Sequence, residues 1–185
     1  MIEEVKKCAS VLRSGGIILY PTDTIWGIGC DATNEEAVQK IFDIKQRPSS
    51  KSMIILVAEA HQVSFYAEVP AVAKELVEYA EKPLTIIYPK AKGIAKSLVV
   101  EDGTIAIRVV KDEFCKMLIH TIRKPLVSTS ANISGEPAPE RFDDISDDIK
   151  DSVDYVVNLR QHETGKSNPS RIMKIGINGE IEIIR

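Results

Sequence analysis

The three cysteines of this 185-residue chain, Cys8, Cys30 and Cys115, are far apart and odd in number, and no two form a C-x-x-C pair. That argues against a disulfide framework or a cysteine zinc site and suits a reducing cytosol, so a cytoplasmic location is expected. The histidines, His61, His120 and His162, are equally scattered, and none stands at metal-ligand spacing from a Cys, Asp or Glu. There is no G-x-x-x-x-G-K-[ST] loop, because Ser14-Gly15-Gly16 comes before a strand-like run instead of joining strand to helix, and there is no G-x-G-x-x-G. No apolar run approaches the roughly 20 residues that cross a bilayer. The N-terminus, MIEEVKKCASVLRSGG, mixes acidic and basic residues and lacks a signal peptide's layout. The formal charge of -3 gives no surface-wide excess of cations for nucleic acid, although a local basic cleft remains open.

What is present reads as an ordinary globular domain. Hydrophobic residues make up 44% and charged residues 28% of the chain, and the length suits one domain over residues 1–185. Ile2, Val5, Cys8, Ala9 and Leu12 recur at helical spacing, stopped by Gly15-Gly16. Helices are also predicted over 34–45, with Asn34 as cap, after Pro70, and over 113–122. Strands are predicted over 16–20, 53–57, 84–88, 104–110, 125–130 and 153–157. A closing hairpin, 170–175 and 180–184, turns at Asn178-Gly179. Strands alternating with helices, then a hairpin, imply an α/β fold with a mixed sheet.

Hydroxyls and cations gather at the ends of these strands: PTDT (21–24), KQRPSSK (45–51), Arg108, STSANISG (128–135) and SNPS (167–170). Ligands of α/β sheets bind in crevices outside strand ends. Small hydroxyls and a carboxamide hydrogen-bond an anionic or zwitterionic ligand, and Lys and Arg neutralise its carboxylate or phosphate. Each segment also has a structural reading. PTDT serves as a turn and KQRPSSK as a solvated helix end stopped by Pro48. STSANISG carries more hydroxyls than a turn requires, and Arg108 in an apolar strand needs a partner.

Read in order, GIILYPTDTIWGIGCDA, KQRPSSK, GTIAIRV and KPLVSTSANISG resemble the YrdC-like family, whose enzymes are threonylcarbamoyl-AMP synthases. The resemblance implies a compact member without a second C-terminal domain. It also implies a twisted mixed β-sheet flanked by helices, with a positively charged concave cleft. The implied reaction joins L-threonine, bicarbonate and ATP, with Mg2+, into threonylcarbamoyl-AMP and pyrophosphate. The product serves tRNA modification together with other proteins of that pathway. The resemblance places Lys45, Arg47, Ser49, Lys51, Thr104, Asn132 and Arg185 at ATP, with Lys45 and Arg47 exposed in the cleft as the catalytic pair. Thr22, Arg108, Ser130 and Ser170 would face threonine, with Ser128 and Thr129 as site wall. No protein metal site is implied. The rival readings are a non-catalytic fold relative that binds double-stranded RNA, and one acting on another small carbamate or amino acid.

The chain departs from the family's usual pattern in two segments. Ala80-Glu81-Lys82-Pro83-Leu84-Thr85 lacks a customary Trp and Gly, and Pro169-Ser170-Arg171-Ile172-Met173-Lys174 lacks a Thr and Asp while adding two cations.

Overall fold

The computed structural model describes residues 1–46, 53–163 and 169–185. Arg47, Ser49 and Lys51 lie outside them.

The apolar face of the first segment winds into α1 (Ile2–Arg13), burying Val5, Cys8, Ala9 and Leu12. β1 (Ile18–Tyr20) follows, buried along its whole length, and then β2 (Gly27–Gly29). β2 is not foreseen from sequence, because two glycines in three residues leave no alternation to read. Asn34 caps α2 (Glu35–Ile44) as expected, its Oδ1 accepting the Ala37 N–H at 3.1 Å. β3 (Ile54–Val57) leads to α3 (Val63–Tyr66) and α4 (Ala71–Glu78). β4 (Leu84–Tyr88) and β5 (Ile105–Val109) come next. Asp112 then caps α5 (Glu113–Ile122), accepting the Cys115 N–H at 2.9 Å. β6 (Leu126–Ser130), α6 (Asp147–Asp151), β7 (Tyr155–Val156), β8 (Arg171–Ile175) and β9 (Ile181–Ile183) complete the described elements. Helices α3 and α6 are each too short to show a 3.6-residue period. At the predicted hairpin, Gly179 takes a φ of 84°, and Ile175 pairs with Ile181.

The nine strands make one mixed sheet, ordered β7-β1-β2-β6-β3-β5-β4-β8-β9. Pairs β1–β7, β3–β5 and β4–β8 are parallel, and the other five are antiparallel. Alternate residues feed two cores. Ile55, Ile107 and Val127 join α2's Val38 and Ile41 on one face. Ile18, Leu56 and Leu126 join α1 and α5 on the other. Each fully buried Leu or Ile contributes about 1.5–3 kcal/mol, so both faces are strongly driven to close.

The second face does not close completely. Leu56 lies between Arg108 and Leu126 in the strand register, and α1 and α5 pack over Leu56 and Leu126. One row further along the strands, Ile87, Ala106, Ile54 and Ser128 stand side by side and line an open cavity. Among the described residues, no helix is long and apolar enough to cross a membrane.

Candidate active site

The cavity owes its shape to glycines of β2. A Cβ at Gly29 would stand 2.3 Å from the Val127 carbonyl oxygen and 2.7 Å from Cε1 of Tyr20. With hydrogen there instead, the fully buried Tyr20 ring crosses β2 and its hydroxyl donates to the Val127 carbonyl at 2.9 Å. That bond ties β1 to β6 and presents Ser128, Thr129 and Ser130 at the cavity's edge.

The PTDT turn sets the other wall. Thr22 Oγ1 donates to the Ile25 carbonyl at 2.8 Å and accepts the Thr24 N–H at 3.0 Å. With its proton committed there, Thr22 receives the Thr24 hydroxyl at 3.0 Å. Thr24 Oγ1 in turn accepts Arg108 Nη1–H at 3.0 Å. Asp23 Oδ1 neutralises the same guanidinium, 3.2 Å from Nη2, while its Oδ2 accepts the Lys111 N–H at 3.1 Å.

Arg108 lines a cavity of about 350 Å³ and is only 3% exposed. Its Nε and Nη2 make no hydrogen bond among the described residues, Nη2 facing Asp23 Oδ1 as an ion pair only. Those two donors form one edge of a planar guanidinium and match the two oxygens of a carboxylate. Leaving such donors buried and unsatisfied costs roughly 1–3 kcal/mol each, which a bound anion recovers.

Opposite stands Ser170, 3% exposed, its hydroxyl sharing a hydrogen bond with Thr85 Oγ1 at 2.8 Å. Its carbonyl accepts Arg185 Nη2 at 3.1 Å and Nε at 3.3 Å, folding that arginine over the cavity. Among the described residues, Arg108 and Arg185 are the charged ones lining it. The structure therefore brings together Arg108, Ser128, Thr129, Ser130, Ser170 and Arg185 of the predicted set.

Four other predicted residues do not line this cavity. Thr22, 2% exposed, is committed to its turn, and its neighbour Thr24 occupies the wall instead. Thr104 donates to Asp102 Oδ1 at 2.6 Å, and Lys174 bonds the other Asp102 oxygen at 2.6 Å. The Lys174 bond, followed by the Thr104 bonds, holds Asp102 below the ordinary carboxylate pKa. Asn132 Oδ1 accepts the Ser130 hydroxyl at 2.5 Å, and its Nδ2 donates to the Glu136 carbonyl at 2.6 Å. Lys45 overturns the expectation of an exposed cation: it is 1% exposed, its ammonium directed at the Ser130 and Asn132 carbonyls, 2.6 Å from each. The end of α2 faces the 130–134 segment, and those backbone acceptors draw the side chain inward.

Sequence reasoning missed Asp23 and Thr24 as partners of Arg108. The signal lay in the PTDT motif itself, but spacing inside a four-residue turn does not say which hydroxyl turns inward. All three cysteines are free and buried, and burial pushes the Cys8 thiol up to about 12 and raises those of Cys30 and Cys115 as well. They stay protonated thiols at neutral pH.

The two departing segments meet where β4 pairs with β8, and part of each faces away from Arg108. Ala80, Glu81, Lys82, Leu84, Arg171 and Met173 line a separate cavity beside α4. Leu84 and Met173 project away from Thr85 and Ile172, whose alternate positions serve the Arg108 face. Arg171 thus lies on the side away from Arg108, whereas Lys174 alternates onto the same side as Ile172 and bonds Asp102.

Comparison with known proteins shows the family and the fold. Residues 10–185 match the Sua5/YciO/YrdC family, whose description reads "Telomere recombination". A threonylcarbamoyl-AMP synthase of Idiomarina loihiensis is 36% identical over 162 residues, 85% of this chain and 86% of that protein. A crystal structure of P. abyssi Sua5 complexed with L-threonine superposes with a TM-score of 0.82 at 28% identity, over 92% of this chain. The chain spans 50% of that longer protein. E. coli YciO shares the fold, with a TM-score of 0.87 at 22% identity over 100% of this chain and 89% of that one. In both its sequence and its fold, the chain belongs to the Sua5/YciO/YrdC family.

Proposed function

We propose that this chain is an L-threonylcarbamoyladenylate synthase, a nucleotidyltransferase that makes threonylcarbamoyl-AMP and pyrophosphate from L-threonine, bicarbonate and ATP. The observation that carries this reading is the Nε–Nη2 edge of Arg108, buried, charged and making no hydrogen bond among the described residues, in a cavity walled by serines and threonines. An amino acid offers the carboxylate that this edge fits. Ser130 adds polarity of the right sense. Its proton goes to Asn132 Oδ1, so its lone pairs are left to accept from an amine or a carbamate N–H.

The chemistry needs little from a protein base. Threonine's amine takes up CO2 as a carbamate, whose oxygen attacks the α-phosphorus while pyrophosphate leaves. Holding the carbamate and nucleotide in line, with charge neutralised, supplies the larger share of the rate. Mg2+ enters with ATP as its phosphate-bound complex, in keeping with its preference for substrate phosphates and water. Among the described residues, no group of three or more His, Cys, Asp or Glu is placed to hold a metal ion. Arg185 lies at the cavity and serves the nucleotide in this reading, and the family resemblance assigns Arg47, Ser49 and Lys51, outside the described residues, to the same ligand. The adenylate then passes to other proteins for transfer to tRNA, in the cytoplasm.

A double-stranded RNA role finds less support. Affinity for phosphate backbones grows with the number of cations engaged, and among the described residues two line this cavity. The test is pyrophosphate release from ATP, Mg2+ and bicarbonate, with and without L-threonine, using serine and alanine as controls. Threonine-dependent release, with the carbamoyl-adenylate seen by mass spectrometry, is expected. Threonine-independent release or none at all defeats the reading.

A further inference from the structure

Lys45 closes α2, and both its backbone and its side chain are joined to the segment that follows β6. Its carbonyl accepts the Ser134 N–H at 2.9 Å. Its ammonium donates to the Ser130 carbonyl at 2.6 Å, the Asn132 carbonyl at 2.6 Å and Asn132 Oδ1 at 3.2 Å. An ammonium has three N–H donors, and three oxygens of one loop surround this one. The same Asn132 Oδ1 accepts the Ser130 hydroxyl, and Asn132 Nδ2 holds the Glu136 carbonyl. One side chain thus organises a network from residue 130 to residue 136. Ser130 is its outlet, because Ser130 alone of that network lines the Arg108 cavity.

From this geometry we infer that Lys45 is a positioning residue, acting through the 130–136 segment to aim Ser130 at the amino acid instead of gripping the triphosphate. A phosphate oxygen would have to displace one of its loop acceptors in a site that is 1% exposed. Doing so would leave a buried carbonyl unpaired, an unfavourable exchange. The inference rests on the proposed synthase reading for its substrate, but its structural half stands independently. It divides the three cations of the basic segment 45–51: Lys45 belongs to the threonine wall, and Arg47 and Lys51 are left for phosphate.

The first measurement needs no variant. Acetylation of the native protein by an amine-reactive reagent, followed by peptide mass spectrometry, compares Lys45 with Lys6, whose side chain is 66% exposed. Lys45 is expected to stay unmodified without ligand, and MgATP should not change that. Labelling of Lys45 at a rate near that of Lys6, with protection by MgATP, overturns the inference.

The second measurement is L-threonine binding by calorimetry in the absence of nucleotide. Lys45→Met keeps the volume and removes the donors, and should weaken threonine at least tenfold while speeding hydrogen exchange across 130–136. Lys45→Arg keeps the charge and should behave like Lys45→Met. Unchanged threonine affinity in both variants, with loss confined to ATP, overturns the inference. If neither variant folds, the labelling result decides. If the unmodified chain itself binds no threonine, the synthase reading fails, and labelling with exchange still decides the role of Lys45.

Discussion

Two buried cations stand at the two ends of this site, and they are opposites. Arg108 sits mid-strand in β5, 3% exposed, with two donors making no hydrogen bond among the described residues and a cavity in front of it. Lys45 sits at a helix end, 1% exposed, with oxygens of the 130–132 loop around its ammonium. Burial alone therefore says little about what a charge is for. The bookkeeping of donors and acceptors does: an unsatisfied buried donor awaits a ligand, and a satisfied one is a strut.

The comparison is broken most directly at Arg108. Arg108→Met removes two charge-assisted hydrogen bonds to a carboxylate, worth about 1.5–3 kcal/mol each, so threonine affinity should fall by roughly 100-fold or more. Calorimetry against L-threonine, with circular dichroism to confirm folding, checks it. An affinity within a few fold of the unmodified protein would make Arg108 a structural cation like Lys45.

Gly29→Ala probes the framework that both cations share. The new methyl would meet the Val127 carbonyl and the Tyr20 ring, and overpacking of this kind costs about 1–3 kcal/mol or more. The midpoint of urea unfolding should fall accordingly. An unchanged midpoint would show that β2 and Tyr20 move apart freely and do not fix Ser128 and Ser130.

Asp23→Asn sharpens the contrast by removing the carboxylate charge beside Nη2 of Arg108 while keeping the guanidinium itself. The guanidinium loses its neutralising carboxylate, and stability should fall by about 1–3 kcal/mol at neutral pH. Threonine's carboxylate then offsets the missing charge, so saturating threonine should raise the melting temperature more in Asp23→Asn than in the unmodified protein. Equal ligand-induced shifts would deny that Asp23 and substrate share the same guanidinium.

The smallest effect belongs to Glu4, remote from both cations and useful as a control. Burial pushes its pKa up, but the Asn158 N–H, the Tyr155 hydroxyl and Lys7 together hold it below the ordinary value. Because the folded pKa is depressed, its contribution is present above about pH 4.5 and is lost as pH falls through the folded value. Glu4→Gln should cost about 1 kcal/mol at pH 7 and progressively less as pH falls through the folded value, by chemical denaturation over a pH series. Threonine affinity should not change.

The order of elements and the whereabouts of the site were legible in the chain. Apolar periodicity marked α1, α2 and α5, Asn34 and Asn178-Gly179 marked a cap and a turn, and buried Arg108 announced an unmet partner. These signals survive in one dimension because they depend on near neighbours: a cap, a turn and an alternation are each complete within a few residues. Glycines and short elements carry no such pattern, so β2, α3 and α6 emerged only on folding.

The sequence by itself determined that the chain forms an α/β sheet with hydroxyls and cations at its strand ends, because propensity and patterning are local. Only the tertiary structure decided what each cation does. Thr24 meets Arg108 across 84 positions, and Lys45 meets Ser130 across 85. Whether a donor at such a distance finds an acceptor or an open cavity is fixed by strand register and by the glycines that let β1 approach β6. No spacing along the chain records that.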